Sequence, residues 1–319
     1  MHPESLLNAA GLSEVPVCVG VNGLTAKDIM KVLRTVTNLQ AHVEALKAAG
    51  HKVGLVPTMG ALHNGHLSLV KAAVGNGDAV VASVFVNPTQ FNNPNDLATY
   101  PRKEADDFRL LEAAGVDAVF APSVEEVYPD GLRQATEEHV FDLGDVAEVM
   151  EGKFRPGHFQ GVALIVSKLF RMVAPDRAYF GEKDFQQIAV IRRMAKTEGL
   201  DVEIVSCPIC RAADGLALSS RNALLTEGQR AAAPEIYRTL ARSVEHSQGH
   251  SVAATKDSVV EHLNARPFMR VEYFEIVDGY SLRAVEDWGD SDYIVGCITV
   301  YCGDVRLIDN ITYRRPADA

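Results

Sequence analysis

The sequence predicts an α/β protein in which a parallel sheet is followed by a smaller α+β region. Two observations lead to this prediction. Short apolar, β-branched runs alternate with amphipathic helical stretches over residues 30–206, and after Asn222 two helical stretches precede three strand-like runs. Strands that alternate with helices favour right-handed crossovers and a parallel sheet. We therefore expect a ligand site at the carboxyl ends of the strands.

The first region is predicted from its periodicity, taken in chain order. The run at residues 79–86 is continuously apolar and rich in valine, which is typical of a parallel strand buried on both faces. Before and after this run, predicted strands alternate with predicted helices along the chain. Strands are predicted at residues 30–36, 52–57, 79–86, 116–121, 176–181 and 202–205, and helices at residues 38–49, 65–75, after Pro101, 161–173 and 186–198.

The second region is predicted to be an α+β domain. Helices are expected at residues 226–247 and 251–265, and strands at residues 271–277, 293–301 and 305–307. We place the domain boundary near Cys207, with residues 211–221 as the connecting loop. The predicted organisation is an N-terminal extension at residues 1–29, a first domain at 30–206 and a C-terminal domain at 207–319.

Composition excludes several classes of protein. Hydrophobic residues make up 47% of the chain, charged residues 23%, and the formal net charge is -11. This charge opposes non-specific binding to nucleic acids or anionic membranes. No apolar run approaches the roughly 18 residues needed to span a bilayer, and a cytoplasmic location is expected. The pair Cys207 and Cys210 has the spacing of a redox or half-zinc motif, but packing is the favoured interpretation.

A phosphate site is predicted where the strand at residues 52–57 runs into a helix. His63 and His66 lie three residues apart at the helix start, with Gly65 between them. Free backbone N–H groups and the helix dipole favour an anion there, and glycine permits a close approach. Packed or surface histidines are the alternative interpretation, and a zinc site would need at least one further ligand.

A second cluster, Gly181 to Gln187, also lies where a strand passes into a helix. Lys183 can offset negative charge on a transferring phosphate, and Gln187 can hydrogen-bond a carboxylate or hydroxyl. A solvated helix start with Asp184 as its cap is an equally good interpretation of these residues alone.

A third cluster lies in the loop between the domains. Ser219, Ser220 and Arg221 supply two hydroxyls and a guanidinium, a suitable donor set for phosphate oxygens. An interdomain turn that ends at Asn222 is the alternative.

Two further groups concern the substrate and a metal. Asn87 and Gln90 follow a buried strand and offer neutral amides for hydroxyl or carboxylate recognition. Asp106 and Asp107 offer oxygen ligands of the kind that Mg²⁺ prefers, although acidic pairs on helices usually face solvent.

These clusters together, in this order, resemble the pantoate–β-alanine ligase (pantothenate synthetase) family of the nucleotidyltransferase superfamily. The resemblance covers about residues 30–314. It is carried by the stretches Pro57–His63, Phe85–Pro88, Tyr100–Arg102, Arg155–Phe159, Gly181–Asp184, Ser219–Asn222 and Arg306–Asn310. It implies a Rossmann-like N-terminal domain, a C-terminal domain that closes as a lid, and a homodimer. Residues 1–29 have no counterpart in the family pattern.

The resemblance also implies an activity and roles for individual residues. Pantoate would attack the α-phosphorus of ATP to give pantoyl adenylate and pyrophosphate, and β-alanine would then displace AMP. His63, His66 and Lys183 would stabilise the transferring phosphoryl group. The remaining expected roles are ATP binding by Met59, Gly65, Gly181, Lys183, Asp184, Ser219, Ser220 and Arg221, pantoate binding by Gln90, Gln187 and Asn87, and Mg²⁺ binding by Asp106. The resemblance leaves the roles of Arg155 and His158 open.

Two other functions remain to be distinguished. A nucleotidyltransferase that acts on a phosphorylated acceptor would share the histidine motif but would need extra cationic groups, whereas Asn87, Gln90 and Gln187 are neutral. A catalytically idle binding protein on the same fold is disfavoured because His63, His66, Lys183 and Arg221 are all present.

Overall fold

The computed structural model describes residues 29–91 and 94–316. Within these ranges the predicted parallel sheet is present, with its strands in the spatial order β1-β4-β3-β2-β5-β6. Every neighbouring pair in it is parallel. The strands are β1 (Lys31–Leu33), β2 (Val53–Thr58), β3 (Ala79–Val84), β4 (Ala118–Phe120), β5 (Arg177–Gly181) and β6 (Glu203–Cys207). The predicted extension at residues 1–29 lies outside the described residues except for its last member.

Helices cover both faces of this sheet. They are α1 (Val36–Ala48), α2 (Asn64–Gly75), α3 (Pro94–Thr99), α4 (Glu104–Ala114), α5 (Val124–Val127), α6 (Leu132–Glu137), α7 (Glu151–Phe154), α8 (His158–Val173) and α9 (Phe185–Thr197). Apolar residues of α1, α8 and α9 form one buried cluster against the sheet. Residues of α2 and α4 form another.

The strand order positions a crevice at the carboxyl end of β2. β2 pairs with β3 on one side and with β5 on the other. The helix after β2 packs on one face and the helix after β5 on the other. The loops that leave these two strands therefore diverge, and ligands of open parallel sheets bind at such a point.

The C-terminal region is α+β, as predicted. Its elements are α10 (Glu227–Ala232), α11 (Glu235–His246), α12 (Val252–Asn264), β7 (Met269–Asp278), β8 (Ile294–Cys302) and β9 (Val305–Arg314). The strands form an antiparallel sheet in the order β7-β8-β9. α11 and α12 bury their apolar residues against this sheet. A separate apolar cluster joins Met150 of the first region to Val277, Val295 and Cys297 of this sheet.

The strand predicted at residues 305–307 is longer in the structure, where β9 runs to Arg314. Two other predicted elements also differ. The strand expected at residues 30–36 stops at Leu33, because the Thr35 side chain accepts a hydrogen bond from the Asn38 amide (3.3 Å) and starts α1 at Val36. The helix expected at residues 226–247 is two helices. Pro234 lies between them, and proline both lacks an N–H and disfavours helical geometry in the residue before it.

The cysteines of the described residues are free thiols. Cys207 is buried at the end of β6, and burial raises the pKa of its thiol to about 11. Such a thiol is a poor nucleophile, in agreement with the packing interpretation. No helix in the described part of the chain is both long enough and apolar enough to cross a membrane.

Candidate active site

Two adjoining cavities lie at the carboxyl end of the parallel sheet. The larger, about 680 Å³, extends between this sheet and the C-terminal sheet, with Lys183, Ser219 and Arg221 in its wall. The smaller, about 190 Å³, lies over the ends of the strands. The predicted site residues in its lining are Met59, His66, Asn87, Gln90, Gly181, Asp184 and Gln187. Asp184 and Gln187 belong to both walls, so that ligands in the two cavities would be neighbours.

His63 and His66 form the cap of α2. The Nδ1 atom of His63 accepts a hydrogen bond from the Gly65 amide (3.1 Å), and Nδ1 of His66 accepts one from the His63 amide (3.3 Å). A backbone amide can only donate, so neither Nδ1 atom carries a proton. Each neutral imidazole therefore keeps its proton on Nε2, where it can be donated to a ligand.

Both histidines are neutral at physiological pH. Burial lowers the pKa of His63 to about 4, with Lys183 acting in the same direction against Asp184. Burial, His63 and Lys183 lower the pKa of His66 to about 3. The two side chains therefore offer neutral N–H donors rather than positive charge. His66 lines the smaller cavity, whereas His63 is in the lining of neither cavity.

The loop before this cap is held by two features that the sequence did not reveal. A Cβ on Gly65 would lie 2.8 Å from Cε1 of His63, so glycine is needed to leave room for the histidine ring. The buried Asp107 carboxylate accepts hydrogen bonds from the amides of Ala61 (2.9 Å) and Leu62 (2.8 Å). Asp107 thus fixes the loop, and a Mg²⁺ role for it stays a prediction.

Lys183 lies in a 3₁₀ turn, Glu182–Asp184, between β5 and α9. Its Nζ is 3.4 Å from the Asp184 carboxylate, and its side chain is 18% exposed. Asn310 of β9 donates from Nδ2 to the carbonyls of Glu182 (2.7 Å) and Lys183 (3.2 Å). The C-terminal sheet therefore directly supports the backbone of the lysine turn.

The Ser219–Arg221 loop also begins a 3₁₀ turn. The Ser219 hydroxyl accepts a hydrogen bond from the Arg221 amide (3.3 Å), and Ser220 hydrogen-bonds Tyr100. Burial raises the pKa of Tyr100, so this hydroxyl keeps its proton. The side chains of Ser219 and Arg221 face the larger cavity with Lys183.

Gln90 is held on two sides. Its Oε1 accepts a hydrogen bond from Asn87 Nδ2 (3.2 Å), and its Nε2 is 3.1 Å from the sulfur of Met59. Asn87 is buried, and it also contacts Thr89, Tyr128 and Gly161 through its amide atoms. Its amide is thus engaged within the protein, which favours a role in orienting Gln90. Direct binding of pantoate by Asn87 stays a prediction.

Asp106 lies apart from both cavities. It is on α4, its side chain is 57% exposed, and it pairs with Arg109 one turn later. Among the residues that the structure describes, no three histidine, cysteine, aspartate or glutamate side chains are grouped as a metal site. The Mg²⁺ role of Asp106 stays a prediction that the geometry does not favour.

A buried ionic cluster joins the two domains beside the larger cavity. Glu151 accepts hydrogen bonds from both terminal nitrogens of Arg306 (2.7 and 2.6 Å) and from the Tyr273 hydroxyl (2.8 Å). Burial alone would raise the pKa of Glu151, but the contacts with Arg306 outweigh it and lower that pKa to about 2. Sequence reasoning did not identify this cluster, because nothing in the sequence separates a buried glutamate from an exposed one.

Comparisons with known proteins agree with this geometry. A family model described as pantoate-beta-alanine ligase matches residues 31–312. A pantothenate synthetase of Porphyromonas gingivalis is 59% identical over 284 residues, covering 89% of this chain and 99% of that protein. One of Bacteroides fragilis is 56% identical over 286 residues, with 89% and 99% coverage.

Solved structures are also similar. A pantothenate synthetase from Thermus thermophilus is 44% identical with a TM-score of 0.82, covering 90% of this chain and all of that one. A pantoate-beta-alanine ligase from Francisella tularensis is 34% identical with a TM-score of 0.73, covering 90% and 99%; it was solved in complex with beta-gamma ATP and beta-alanine.

Proposed function

This chain belongs to the pantoate–β-alanine ligase family, and we propose that it joins pantoate to β-alanine through a pantoyl adenylate held across the two adjoining cavities. The observation that carries the proposal is the shared wall of Asp184 and Gln187. A small acid in the smaller cavity, whose lining has no lysine or arginine, would lie next to a triphosphate in the larger cavity, which Lys183 and Arg221 line.

In the first step, a pantoate carboxylate oxygen attacks the α-phosphorus of ATP. The new bond joins that oxygen to phosphorus, and the bond to the bridging oxygen breaks, so that pyrophosphate leaves with the electron pair. Lys183 and the Nε2 protons of His63 and His66 would stabilise the charge that develops on the phosphoryl oxygens. Ser219, Ser220 and Arg221 would hold the distal phosphates.

In the second step, the amine of β-alanine attacks the acyl carbon of the adenylate. The new C–N bond forms as the C–O bond to AMP breaks, AMP leaves with the electron pair, and the proton lost by the amine passes to the departing phosphate or to solvent. This sequence requires no protein nucleophile. Catalysis would therefore rest on orientation and on charge stabilisation in a pocket with little water.

The smaller cavity supports pantoate rather than a phosphorylated acceptor. Its described lining contains no lysine or arginine, whereas Gln90 and Gln187 offer neutral donors. Val162, Ile165 and Val166 of α8 supply an apolar wall that suits the two methyl groups of pantoate. A nucleotidyltransferase acting on an acceptor phosphate would need cationic groups here.

Magnesium is part of the proposal. Mg²⁺ is commonly held by substrate phosphates with one or two carboxylates, so the lack of a three-carboxylate group in the described residues does not oppose it. The ion would neutralise charge on the phosphates of ATP. Asp184, which lines both cavities and has a 45% exposed side chain, is placed better than Asp106 to contribute an oxygen. Asp184→Asn should raise the Mg²⁺ concentration needed for half-maximal activity, and Asp106→Asn should leave it unchanged.

We also propose that the protein is a cytoplasmic homodimer, as the family resemblance implies. Light scattering coupled to gel filtration would measure the assembly, and a mass of one chain would contradict the dimer. Fractionation of cells that express the protein would test its location.

The activity has a direct test. Purified protein should release AMP, and should turn over repeatedly, only when ATP, Mg²⁺, pantoate and β-alanine are all supplied. Exchange of labelled pyrophosphate into ATP should require pantoate but not β-alanine, because only the adenylation step is involved. ADP as the product, or AMP release that does not depend on β-alanine, would contradict the proposal.

A further inference from the structure

His158 is a buried histidine for which the proposed reaction has no role. It begins α8, and its exposed fraction is 6%. Its Nδ1 is 3.0 Å from the backbone carbonyl oxygen of Gln90. Its Nε2 is 3.0 Å from Nη1 of Arg155. Both ring nitrogens are thus used within the protein, one of them on the backbone of a residue assigned to pantoate.

These two partners fix the protonation of the ring. A carbonyl oxygen can only accept a hydrogen bond, so Nδ1 must carry a proton. A guanidinium can only donate, so Nε2 must be unprotonated. The single state that satisfies both contacts is the neutral Nδ1–H tautomer, the opposite of the tautomer at His63 and His66. Burial and Arg155 also lower the pKa of His158 to about 4, against smaller raising effects from Gln90, Glu151 and Asp184.

The guanidinium of Arg155, which contacts His158, also lies near a carboxylate. Its Nη1 lies 3.7 Å from the Glu151 carboxylate, which in turn binds Arg306 of β9. The imidazole therefore does not rotate freely between Gln90 and a mobile arginine. His158 is itself part of the wall of the larger cavity, and it supports the short turn that carries Gln90.

The Gln90 side chain depends on this backbone contact. Asn87 and Met59 fix the far end of the side chain, at Oε1 and Nε2, whereas His158 fixes the main-chain carbonyl. A turn of three residues, Pro88–Gln90, has few hydrogen bonds of its own. Without the imidazole, the Gln90 carbonyl would lack its partner, and the amide would shift relative to the cavity.

We propose that His158 is a positioning residue for pantoate: its neutral imidazole, held by Arg155, orients Gln90 for contact with the acid. The inference rests on the proposed function, in which Gln90 binds pantoate. It predicts a selective effect on pantoate, because Gln90 lines the smaller cavity and not the larger one, where ATP would lie.

Steady-state kinetics with His158→Leu and His158→Asn test the proposal. Leucine removes both hydrogen bonds, and KM for pantoate should rise at least about tenfold while KM for ATP changes less than about twofold. Asparagine can place an amide N–H near the position of Nδ1, and it should restore most of the affinity. His139→Asn is the matched control, since His139 pairs with Glu198 on the surface away from both cavities and should behave as the unchanged protein. Equal rises in both KM values, or a lower kcat with unchanged KM values, would overturn the proposal.

A separate measurement does not depend on how the leucine variant folds. In a ¹⁵N spectrum of histidine-labelled protein, the signals lost in His158→Asn should show a protonated Nδ1 and an unprotonated Nε2 across pH 6 to 8. A protonated Nε2 would overturn the assignment.

Gln90→Ala separates the inference from the proposed function. If Gln90→Ala raises KM for pantoate and His158→Leu does not, the role of His158 is wrong and the function stands. If Gln90→Ala leaves KM for pantoate unchanged, the assignment of Gln90 to pantoate fails, and the role of His158 fails with it.

Discussion

Lys183 directly precedes Asp184, one of the two residues that line both cavities. Its side chain is 18% exposed and its Nζ is 3.4 Å from Asp184, so water screens its charge only partly. We expect Lys183→Ala to fold normally and to lower turnover by about a hundredfold or more, the scale of removing one electrostatic stabiliser. Lys71→Ala removes a lysine from the exposed side of α2 and should leave turnover unchanged. Near-normal turnover in Lys183→Ala would exclude the lysine from the mechanism.

The buried histidines make stability depend on pH. The folded-state pKa of His66 is about 3, below the value near 6.5 for an unfolded histidine. Between these values the unfolded chain binds more protons than the folded one, so stability rises with pH. The stability present above pH 6.5 is progressively lost as pH falls toward 3.

Urea unfolding at pH 7 and pH 5 tests whether the free energy of unfolding falls as the solution is acidified. His66→Gln removes a titrating group and keeps a side chain that can accept from the His63 amide. The free energy of unfolding should therefore fall less steeply with acidification in the variant, by up to about 1.4 kcal/mol per pH unit. A slope as steep as that of the unchanged protein would mean that His66 is not held neutral.

At the scale of an element, α8 packs unusually close to the turn that carries Gln90. A Cβ on Gly161 would lie 2.3 Å from the Thr89 carbonyl oxygen and 2.8 Å from Cα of Gln90. We expect Gly161→Ala to push the turn away, to raise KM for pantoate and to destabilise the fold by about 1–3 kcal/mol.

Gly75→Ala provides the matched control for that substitution. Gly75 ends α2, and a Cβ there would meet nothing within 4 Å. Alanine is a better helix former than glycine, by about 1 kcal/mol at an interior position, so stability should be unchanged or slightly raised and KM for pantoate unaffected. If both variants bind pantoate normally, the close contact of α8 with the Gln90 turn has no functional role.

The long elements could be predicted from the sequence because their periodicity is local. The strand predicted at residues 79–86 and the helix predicted at 65–75 each lie within two residues of β3 and α2. Short helices such as α5 and α7, each of four residues, were not predicted, since so few residues show no period. The break at Pro234 was missed because apolar spacing continues on both sides of it.

At the scale of the whole molecule, the sequence identified the groups that follow each strand but not the contacts that hold them. His63, Lys183 and Gln90 each follow a strand end, and the parallel topology brings them together. Asp107 and Asn310 support these groups from positions distant in the sequence. Those contacts depend on tertiary packing, which no local pattern encodes.

Asn310 links the C-terminal sheet to the turn that carries Lys183, the proposed catalytic lysine. It lies on β9, yet its amide donates to the carbonyls of Glu182 and Lys183 in the first domain. Asn310→Ala would leave these carbonyls without their partner and free the turn, and a displacement near 1 Å at a catalytic group can lower a rate by about a hundredfold. We expect kcat to fall at least about tenfold, with little change in KM for pantoate.

A loss of stability alone would not explain a fall in kcat. A second asparagine of the C-terminal domain, Asn264, separates an effect on stability from an effect on kcat. The Asn264 side chain accepts a hydrogen bond from the Val271 amide (2.8 Å) at the start of β7. Asn264→Ala should reduce stability by about 1 kcal/mol and leave kcat unchanged, since Asn264 does not contact the first domain through this bond. If the two variants lose similar stability and both keep normal kcat, the C-terminal sheet does not control Lys183. A fall in kcat confined to Asn310→Ala would mean that the lysine is placed for catalysis only when the two domains are in contact.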